Sequence, residues 1–351
     1  MSFSSRVIGI AGTAKNTGKT TATNFILKEM HKRKLTPALT SIGYDGERLD
    51  NVTGLPKPRV PVVPGTLVAV AHRCLPVSTA QVEVIEETGI STPLGPVVLG
   101  IIKKAGQMVV AGPNKSSSLR VILDKLTVYK PHLILVDGAL NRIAPMVETQ
   151  GFILATGASR SSDITRLAYE AHSLDYLFRL PLYQGDWYNY ITLVGGDQIS
   201  FDFSSVFTRS QVDRIIAKFS PAVEKIIIPG VVREELWKEL AGVISAQGAG
   251  VTIAVADPIK LALGGSVGNL HRLFEGLGER GVAIKVKRPL PLLAISVNPF
   301  YPKYRFEAND YHPAYVDAER LHKAVARAVT VPVADVMRNG GLLLEALGIK
   351  E

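Results

Sequence analysis

The chain has 351 residues, 46% of them hydrophobic, with 31 glycines, 21 prolines, one cysteine and a formal net charge of +9. This length suits two globular, turn-rich α/β domains, and the single Cys74 excludes an internal disulfide and a cysteine-cluster metal site. The basic residues are scattered and no apolar run approaches the roughly twenty residues that span a bilayer. We therefore expect a cytoplasmic protein without a membrane span that does not bind nucleic acid.

A strand, a glycine-bounded loop and a helix start are predicted over residues 7–21. The strand is an apolar run that ends at Gly12, and apolar residues recur at helical spacing after the loop: Ala22, Phe25, Ile26 and Met30. Five residues separate Gly12 from Gly18, where the common phosphate-binding loop has four. The pattern favours phosphate binding, and the alternative is a glycine turn without a ligand.

The residue types in this loop predict binding of ATP or GTP together with Mg²⁺. Lys19 is expected to reach the β- and γ-phosphates and to be catalytic, while the Thr20 hydroxyl would complete a Mg²⁺ shell. Lys15 has two open interpretations, since it would lie over the phosphates or face water. The full set of predicted nucleotide contacts is Gly12, Lys15, Asn16, Thr17, Gly18, Lys19, Thr20 and Thr21.

Two acidic residues follow the next predicted strand, at about residues 37–42. Asp45 and Glu47 would emerge at the same sheet edge as the glycine loop, and both are predicted catalytic residues. Either would order the attacking water, coordinate Mg²⁺ or respond to phosphate loss. The alternative is a polar turn, because Asp-Gly at 45–46 is a strong turn signal.

Another buried strand, residues 133–138, brings an acidic residue to its carboxyl end. Four apolar residues precede Asp137, which is typical of a central parallel strand that opens onto a site. Asp137 is the predicted second Mg²⁺ ligand, and the alternative is that it caps the following turn. Between these strands, the valine- and isoleucine-rich runs over 67–110 predict antiparallel pairing.

The second half alternates strand patterns with helix patterns, the latter over 209–219, 233–246, 257–277 and 314–328. This alternation predicts a second α/β domain with a mostly parallel sheet. We place the domain junction in the aromatic stretch at 181–190, with a nucleotide-binding domain over 1–185 and a domain of unknown ligand over 186–351. Asn298 ends a strong apolar strand. It is either a turn-forming residue before Pro299 or, if its strand joins the first sheet, a reader of a nucleotide base.

The loop sequence Gly-Thr-Ala-Lys-Asn-Thr-Gly-Lys-Thr-Thr resembles that of the dethiobiotin synthetase-like P-loop proteins, whose loop also has five residues between its glycines. Their class includes MinD-type ATPases and metallochaperone GTPases, and the resemblance covers roughly residues 5–180. It implies a doubly wound, mostly parallel P-loop NTPase sheet, with Asp45 as the acidic residue after the second strand. The chain lacks a lysine at 41–44, which argues against dethiobiotin synthesis itself.

A narrower resemblance is to the reactivase accessory proteins of lysine 5,6-aminomutase, a cobalamin and pyridoxal-phosphate enzyme. The segments that carry it are 15–21, 41–47, 53–59 and 332–336. It implies nucleotide hydrolysis that drives exchange of damaged cobalamin, with the aminomutase and a second ATPase subunit as partners. Apart from this resemblance, a homodimer is a further option. The alternative is an ATP-dependent ligase or kinase of the dethiobiotin synthetase type that acts on a small metabolite.

Overall fold

A computed structural model describes residues 5–43, 59–139, 144–247, 250–307 and 309–349. The chain folds into two compact units: Met1–Ala168 together with Leu292–Glu351, and Tyr169–Pro291. The second unit is thus an insertion in the sequence of the first. Within the part of the chain that the structure describes, no helix has both the length and the apolar character needed to cross a membrane.

The regular elements are numbered here along the whole chain. The strands are β1 (Arg6–Gly12), β2 (Pro37–Ser41), β3 (Val60–Val62), β4 (Leu67–Ala71), β5 (Gln81–Thr92), β6 (Gly95–Lys104), β7 (Gly106–Met108), β8 (Leu133–Ala139), β9 (Phe152–Gly157), β10 (Thr192–Gly195), β11 (Gln198–Ser200), β12 (Val223–Ile228), β13 (Thr252–Val255), β14 (Ala283–Val286), β15 (Leu292–Asn298), β16 (Phe300–Arg305), β17 (Asp310–Tyr315) and β18 (Val333–Ala334). The helices are α1 (Lys19–Lys32), α2 (Ser116–Val128), α3 (Ile164–Phe178), α4 (Arg209–Ile216), α5 (Glu234–Gln247), α6 (Pro258–Leu263), α7 (Val267–Glu279), α8 (Ala318–Ala328), α9 (Val336–Asn339) and α10 (Gly341–Ala346).

The first unit is built on a nine-stranded sheet in the order β18-β15-β9-β1-β8-β2-β4-β6-β5. All neighbours from β18 to β4 are parallel, and β4, β6 and β5 pair antiparallel at one edge. The antiparallel pairing predicted over 67–110 is therefore confirmed for these three strands, and β7 also pairs antiparallel, with β3 in a separate two-stranded sheet. The unit is a mixed α/β structure with a mostly parallel sheet.

The central strands are continuous apolar runs because both faces of the sheet are covered. Ile8, Ile10 and the apolar residues 133–136 of β8 are buried in the core. On α1, the helical repeat predicted from the sequence forms the packing face, with Ala22, Ile26 and Met30 buried. This face fixes α1 against the sheet, and with it the loop that leads from β1 into the helix.

The second unit has its own five-stranded sheet in the order β11-β10-β12-β13-β14. Three of these strands, β12, β13 and β14, are parallel to one another, while β10 pairs antiparallel with both β12 and β11. Trp237 and Phe274 are fully buried in its core, with ring centroids 5.2 Å apart in an edge-to-face contact. A mostly parallel α/β sheet in this part of the chain agrees with the alternating pattern.

The predicted division at residue 185 differs from the observed one. Strand β15 pairs with β9, and β18 pairs with β15, so the segment from Leu292 onward completes the first sheet. The other boundary falls within α3, where Ala168 ends the first unit. Local patterns indicated the strands correctly, but they carry no information about which sheet a strand joins.

Candidate functional site

The candidate site lies at the loop from β1 to α1, residues 13–18, at the carboxyl edge of the parallel sheet. Strand β1 lies between β8 and β9, so the loop leaves the sheet beside the ends of both neighbours. In open α/β sheets, ligands bind at this edge because loops from several parallel strands converge there. The loop that the sequence predicts to bind phosphate therefore lies at this edge.

The loop is a tight turn that requires glycine at two positions for steric reasons. Gly18 has φ of 87° and Asn16 has φ of 61°, both in the left-handed region that glycine and asparagine tolerate best. A Cβ on Gly12 would lie 3.0 Å from the Thr17 hydroxyl oxygen. That hydroxyl is buried and donates to the Ala14 carbonyl at 3.0 Å, so the Thr17 side chain closes the turn from inside.

The first turn of α1 has no side-chain cap. Gly18 is the residue before the helix and supplies no capping group, and the first turn contains no acidic residue. The bond from the Ala22 N–H to the Gly18 carbonyl, 2.9 Å, begins the helical ladder. The N–H groups of residues 19–21 precede it and have no intrahelical acceptor, which leaves a partial positive charge at this end of the helix.

Lys19 and Asp137, 118 positions apart in the sequence, form an ion pair at this edge. The Lys19 ammonium lies 2.8 Å from Asp137 Oδ2, and the two side chains are 19% and 18% exposed. Asp137 Oδ1 is buried and has no hydrogen-bond partner among the described residues. An unsatisfied buried carboxylate oxygen costs about 1–3 kcal/mol, which makes Oδ1 an open acceptor for a cation or a donor.

Asn298, at the end of β15, holds the loop from the other side. Its side-chain Nδ2 donates to the Asn16 carbonyl at 3.0 Å, and its Oδ1 accepts from the Phe300 N–H at 3.2 Å. Because β15 belongs to the first sheet, Asn298 lies opposite Gly157 of β9. The amide thus contacts the loop backbone. The bond from the Phe300 N–H, two residues on, agrees with the predicted turn-forming role, whereas the contact with the loop was not predicted.

Thr13 also connects the loop to β9 through two hydrogen bonds. Its N–H donates to the Ala155 carbonyl at 2.9 Å, and its hydroxyl donates to the Thr156 hydroxyl at 2.9 Å. Both threonines are buried. Sequence reasoning assigned no role to either residue, because paired threonines on distant segments give no local signal.

The other predicted site residues that the structure describes make none of the contacts given above. Lys15 is exposed, Thr20 is half-buried in the first turn of α1, and Thr21 is exposed and lines an apolar groove beside that helix. Asp45 and Glu47 lie outside the described residues. In the described ranges, no group of three or more His, Cys, Asp or Glu side chains could hold a metal ion by itself.

Cys74 takes no part in this arrangement. It is a buried, free cysteine, and burial raises the pKa of its thiol to about 11. The thiol is therefore protonated at neutral pH, which argues against a nucleophilic role, and Cys74 packs in the core as a small apolar residue.

The chain matches no protein-family model, and no curated protein matches it. The functional interpretation consequently rests on the geometry around the β1–α1 loop and on the sequence motifs. The central features are the uncapped first turn of α1, the ion pair of Lys19 with Asp137, and the contact of Asn298 with the loop.

Proposed function

We propose that the β1–α1 loop binds the triphosphate of ATP or GTP and that the protein hydrolyses this nucleotide with Mg²⁺. The observation that carries the proposal is the partly buried ion pair of Lys19 with Asp137 at the uncapped start of α1. It combines a cation, a carboxylate and free backbone donors at the carboxyl edge of a parallel sheet. Phosphoryl transfer needs these groups in one place.

An anion is the ligand that best matches the start of α1. Free N–H groups and the helix dipole together favour negative charge there, and the Lys19 ammonium adds a full positive charge. Asp137 already orders the Lys19 side chain. A phosphate oxygen would replace one charged partner of Lys19 with another, so little side-chain entropy remains to be lost on binding.

The oxygen donors at the loop also fit Mg²⁺. This ion typically takes one or two protein oxygens and completes its shell with phosphate oxygens and water, so a dense cluster of acidic residues is not required. Asp137, with its unsatisfied Oδ1, and the Thr20 hydroxyl would hold it. When bound, Mg²⁺ supplies charge neutralisation at the phosphate oxygens.

Each of the chain's own residues at the site then has a separate role. Lys19 binds and orients the phosphates, Asn298 and Thr13 fix the loop backbone that leads into the N–H donors of α1, and Thr17 keeps the turn closed. Asp45 and Glu47 are proposed to order the attacking water or to respond to phosphate loss, as the sequence position after β2 predicts.

Turnover measurements on matched variants test the proposal. Lys19→Ala should abolish Mg²⁺-dependent hydrolysis, and Asp137→Asn should retain nucleotide binding but lower turnover at least about tenfold. Lys104→Ala, which removes an exposed lysine from β6, is the control and should hydrolyse at the wild-type rate. Unchanged hydrolysis in both site variants would rule out this site.

The use of the hydrolysis is proposed on sequence resemblance alone, as an accessory role toward a cobalamin-dependent aminomutase. Turnover raised by an added aminomutase, but not by small metabolites, is the expected result. Turnover raised by a small carboxylate or alcohol would instead favour the ligase or kinase. Tight retention of nucleotide without turnover would mark the nucleotide as structural.

A further inference from the structure

An apolar groove of about 540 Å³ runs along the exposed side of α1, within the first unit. Three elements form its walls, namely α1, β3 and α9. The apolar side chains that line it include Phe25, Pro61, Val63, Val336 and Met337. Its volume lies within the range of about 300–1,000 Å³ that is usual for small-molecule sites.

Parts of the groove expose large apolar side chains to solvent. Met337 is 83% exposed and Val63 is 37% exposed. The lining residues of α1 extend from Thr21 to Lys32, which corresponds to about 16 Å along the helix at 1.5 Å per residue. The groove is therefore long enough for an extended apolar chain.

The charged side chains that line the groove are all basic. Lys32 is paired with Glu29, its ammonium 2.5 Å from the carboxylate, and the His31 ring is bonded to the Thr66 hydroxyl at 3.0 Å. Burial lowers the pKa of His31, so this ring is neutral at neutral pH. No described carboxylate pairs with Lys28, so none of the described residues competes with a ligand for its ammonium.

One polar group in the groove lacks a partner. Asn24 Oδ1 is buried and makes no hydrogen bond within the described part of the chain. Asn24 and Lys28 are four residues apart on α1, so their side chains are neighbours on one helix face, with Cβ atoms about 6 Å apart. Because Oδ1 only accepts hydrogen bonds, the group in the groove that attracts an anion is the Lys28 ammonium, beside an apolar wall.

We propose that this groove binds a small amphipathic carboxylate with an unbranched apolar tail. The carboxylate lies at Lys28, and the tail covers Phe25, Val63 and Met337. Charge complementarity selects an anion, since no acidic side chain lines the groove in the described ranges. This inference goes beyond the proposed nucleotide hydrolysis, and it stands whether or not a nucleotide binds at the β1–α1 loop.

Calorimetric titration of the full chain with decanoate, below its micelle-forming concentration, tests the proposal. Decyltrimethylammonium, a cation with a tail of similar length, is the matched probe. Decanoate should bind at one site and at least about tenfold more tightly than the cation. Equal binding of the two probes, or no binding of decanoate, would overturn the proposal.

Two substitutions locate the binding in the groove. Met337→Glu places a carboxylate at an exposed position on the groove wall and should weaken decanoate binding at least about tenfold. Val128→Glu, at a position that is 74% exposed on α2 outside the groove, is the control and should leave binding unchanged. An equal effect of the two substitutions would contradict the assignment.

Lys28→Glu provides an independent variant at an exposed helical position, and it should reverse the preference between anion and cation. An unchanged preference would contradict the proposal. Lys19→Ala should bind decanoate normally. Loss of nucleotide binding in that variant with decanoate binding retained would show that the two sites are separate, so either proposal can fail without the other.

Discussion

At the residue scale, Asn298 connects the end of β15 to the loop that forms the candidate site. Its Nδ2 donates to the Asn16 carbonyl, and its Oδ1 accepts from the Phe300 N–H. A Cβ on Gly18 would lie 3.2 Å from the Asn298 Cβ, so the two residues already approach closely. Asn298 is a positioning residue, because it acts on the proposed ligand only through the loop backbone.

Asn298→Asp should weaken nucleotide binding without abolishing turnover. Aspartate keeps the acceptor for Phe300 but cannot donate to Asn16, and one hydrogen bond contributes about 1 kcal/mol, which corresponds to about a fivefold change in affinity. We expect KM to rise by about this factor with kcat retained. A fall in kcat at constant KM would contradict a positioning role, and a large fall in melting temperature would indicate a structural one.

Some of the site follows from the sequence at this scale and some does not. Lys19 and Asp137 were both predicted at the carboxyl edge of one sheet, since each follows or ends a buried apolar strand. Their direct ion pair was not predicted. The Thr13 to Thr156 hydrogen bond has no sequence signal, because any polar pair at two strand ends would look the same.

At the element scale, two glycines of the second unit, one in a strand and one in a helix, differ in the space that surrounds them. A Cβ on Gly195, at the irregular pairing of β10 with β12, would overlap the Ala222 carbonyl oxygen. A Cβ on Gly276, inside α7, would meet no heavy atom within 4 Å. Only the first position requires glycine for close backbone approach.

Gly276→Ala should raise the free energy of unfolding by about 0.5–1 kcal/mol, because alanine loses less backbone freedom on folding. Gly195→Ala should lower it by about 2 kcal/mol or more, since the backbone must shift to admit the methyl group. Urea denaturation of both variants measures the effects. Equal stability of the two would contradict the described packing of these elements.

Element boundaries could be predicted from the sequence where a strong repeat of apolar residues fits only one type of element. The spacing of Ala22, Ile26 and Met30 indicated α1 correctly. The helical pattern at 257–277 instead divides into α6 and α7 at Gly264 and Gly265, where Gly265 has φ of 157°. The helix predicted over 314–328 begins only at Ala318, because Ala314 and Tyr315 belong to β17 and Asp317 caps the helix.

At the scale of the whole molecule, the insertion of the second unit was beyond sequence reasoning. Strands β15 and β18 have apolar patterns like those of β12 to β14, yet they complete the first sheet. Sheet membership depends on long-range pairing, which no local pattern encodes. The position of Asn298 at the candidate site follows from that pairing, so its role could not be assigned earlier.

Each unit contains a histidine whose pKa is lowered by burial, the half-buried His31 in the first and the buried His271 in the second. For His271, the Glu275 carboxylate, 3.2 Å away, opposes the effect of burial but is the smaller influence. Below pH about 6.5, these histidines are protonated in the unfolded chain but less so in the folded chain, because burial lowers their pKa values. Stability should therefore fall as the pH drops through this value.

Urea midpoints measured at pH 7.5 and pH 5.5 test this expectation, with the lower midpoint at pH 5.5. His31→Asn cannot titrate in this range, so its midpoint should change less between the two pH values than that of the wild type. Carboxylates with lowered pKa values, such as Glu29, add to the trend only under more acidic conditions. A higher wild-type midpoint at pH 5.5 would contradict the described burial of these rings.

The most direct test of the proposed function is calorimetric titration of the full chain with ATP and with GTP in the presence of Mg²⁺. We predict one bound nucleotide per chain in the wild type and in Lys104→Ala, and none in Lys19→Ala. An absence of heat with both nucleotides at millimolar concentration, or full binding by Lys19→Ala, would contradict the assignment of the β1–α1 loop as a triphosphate site.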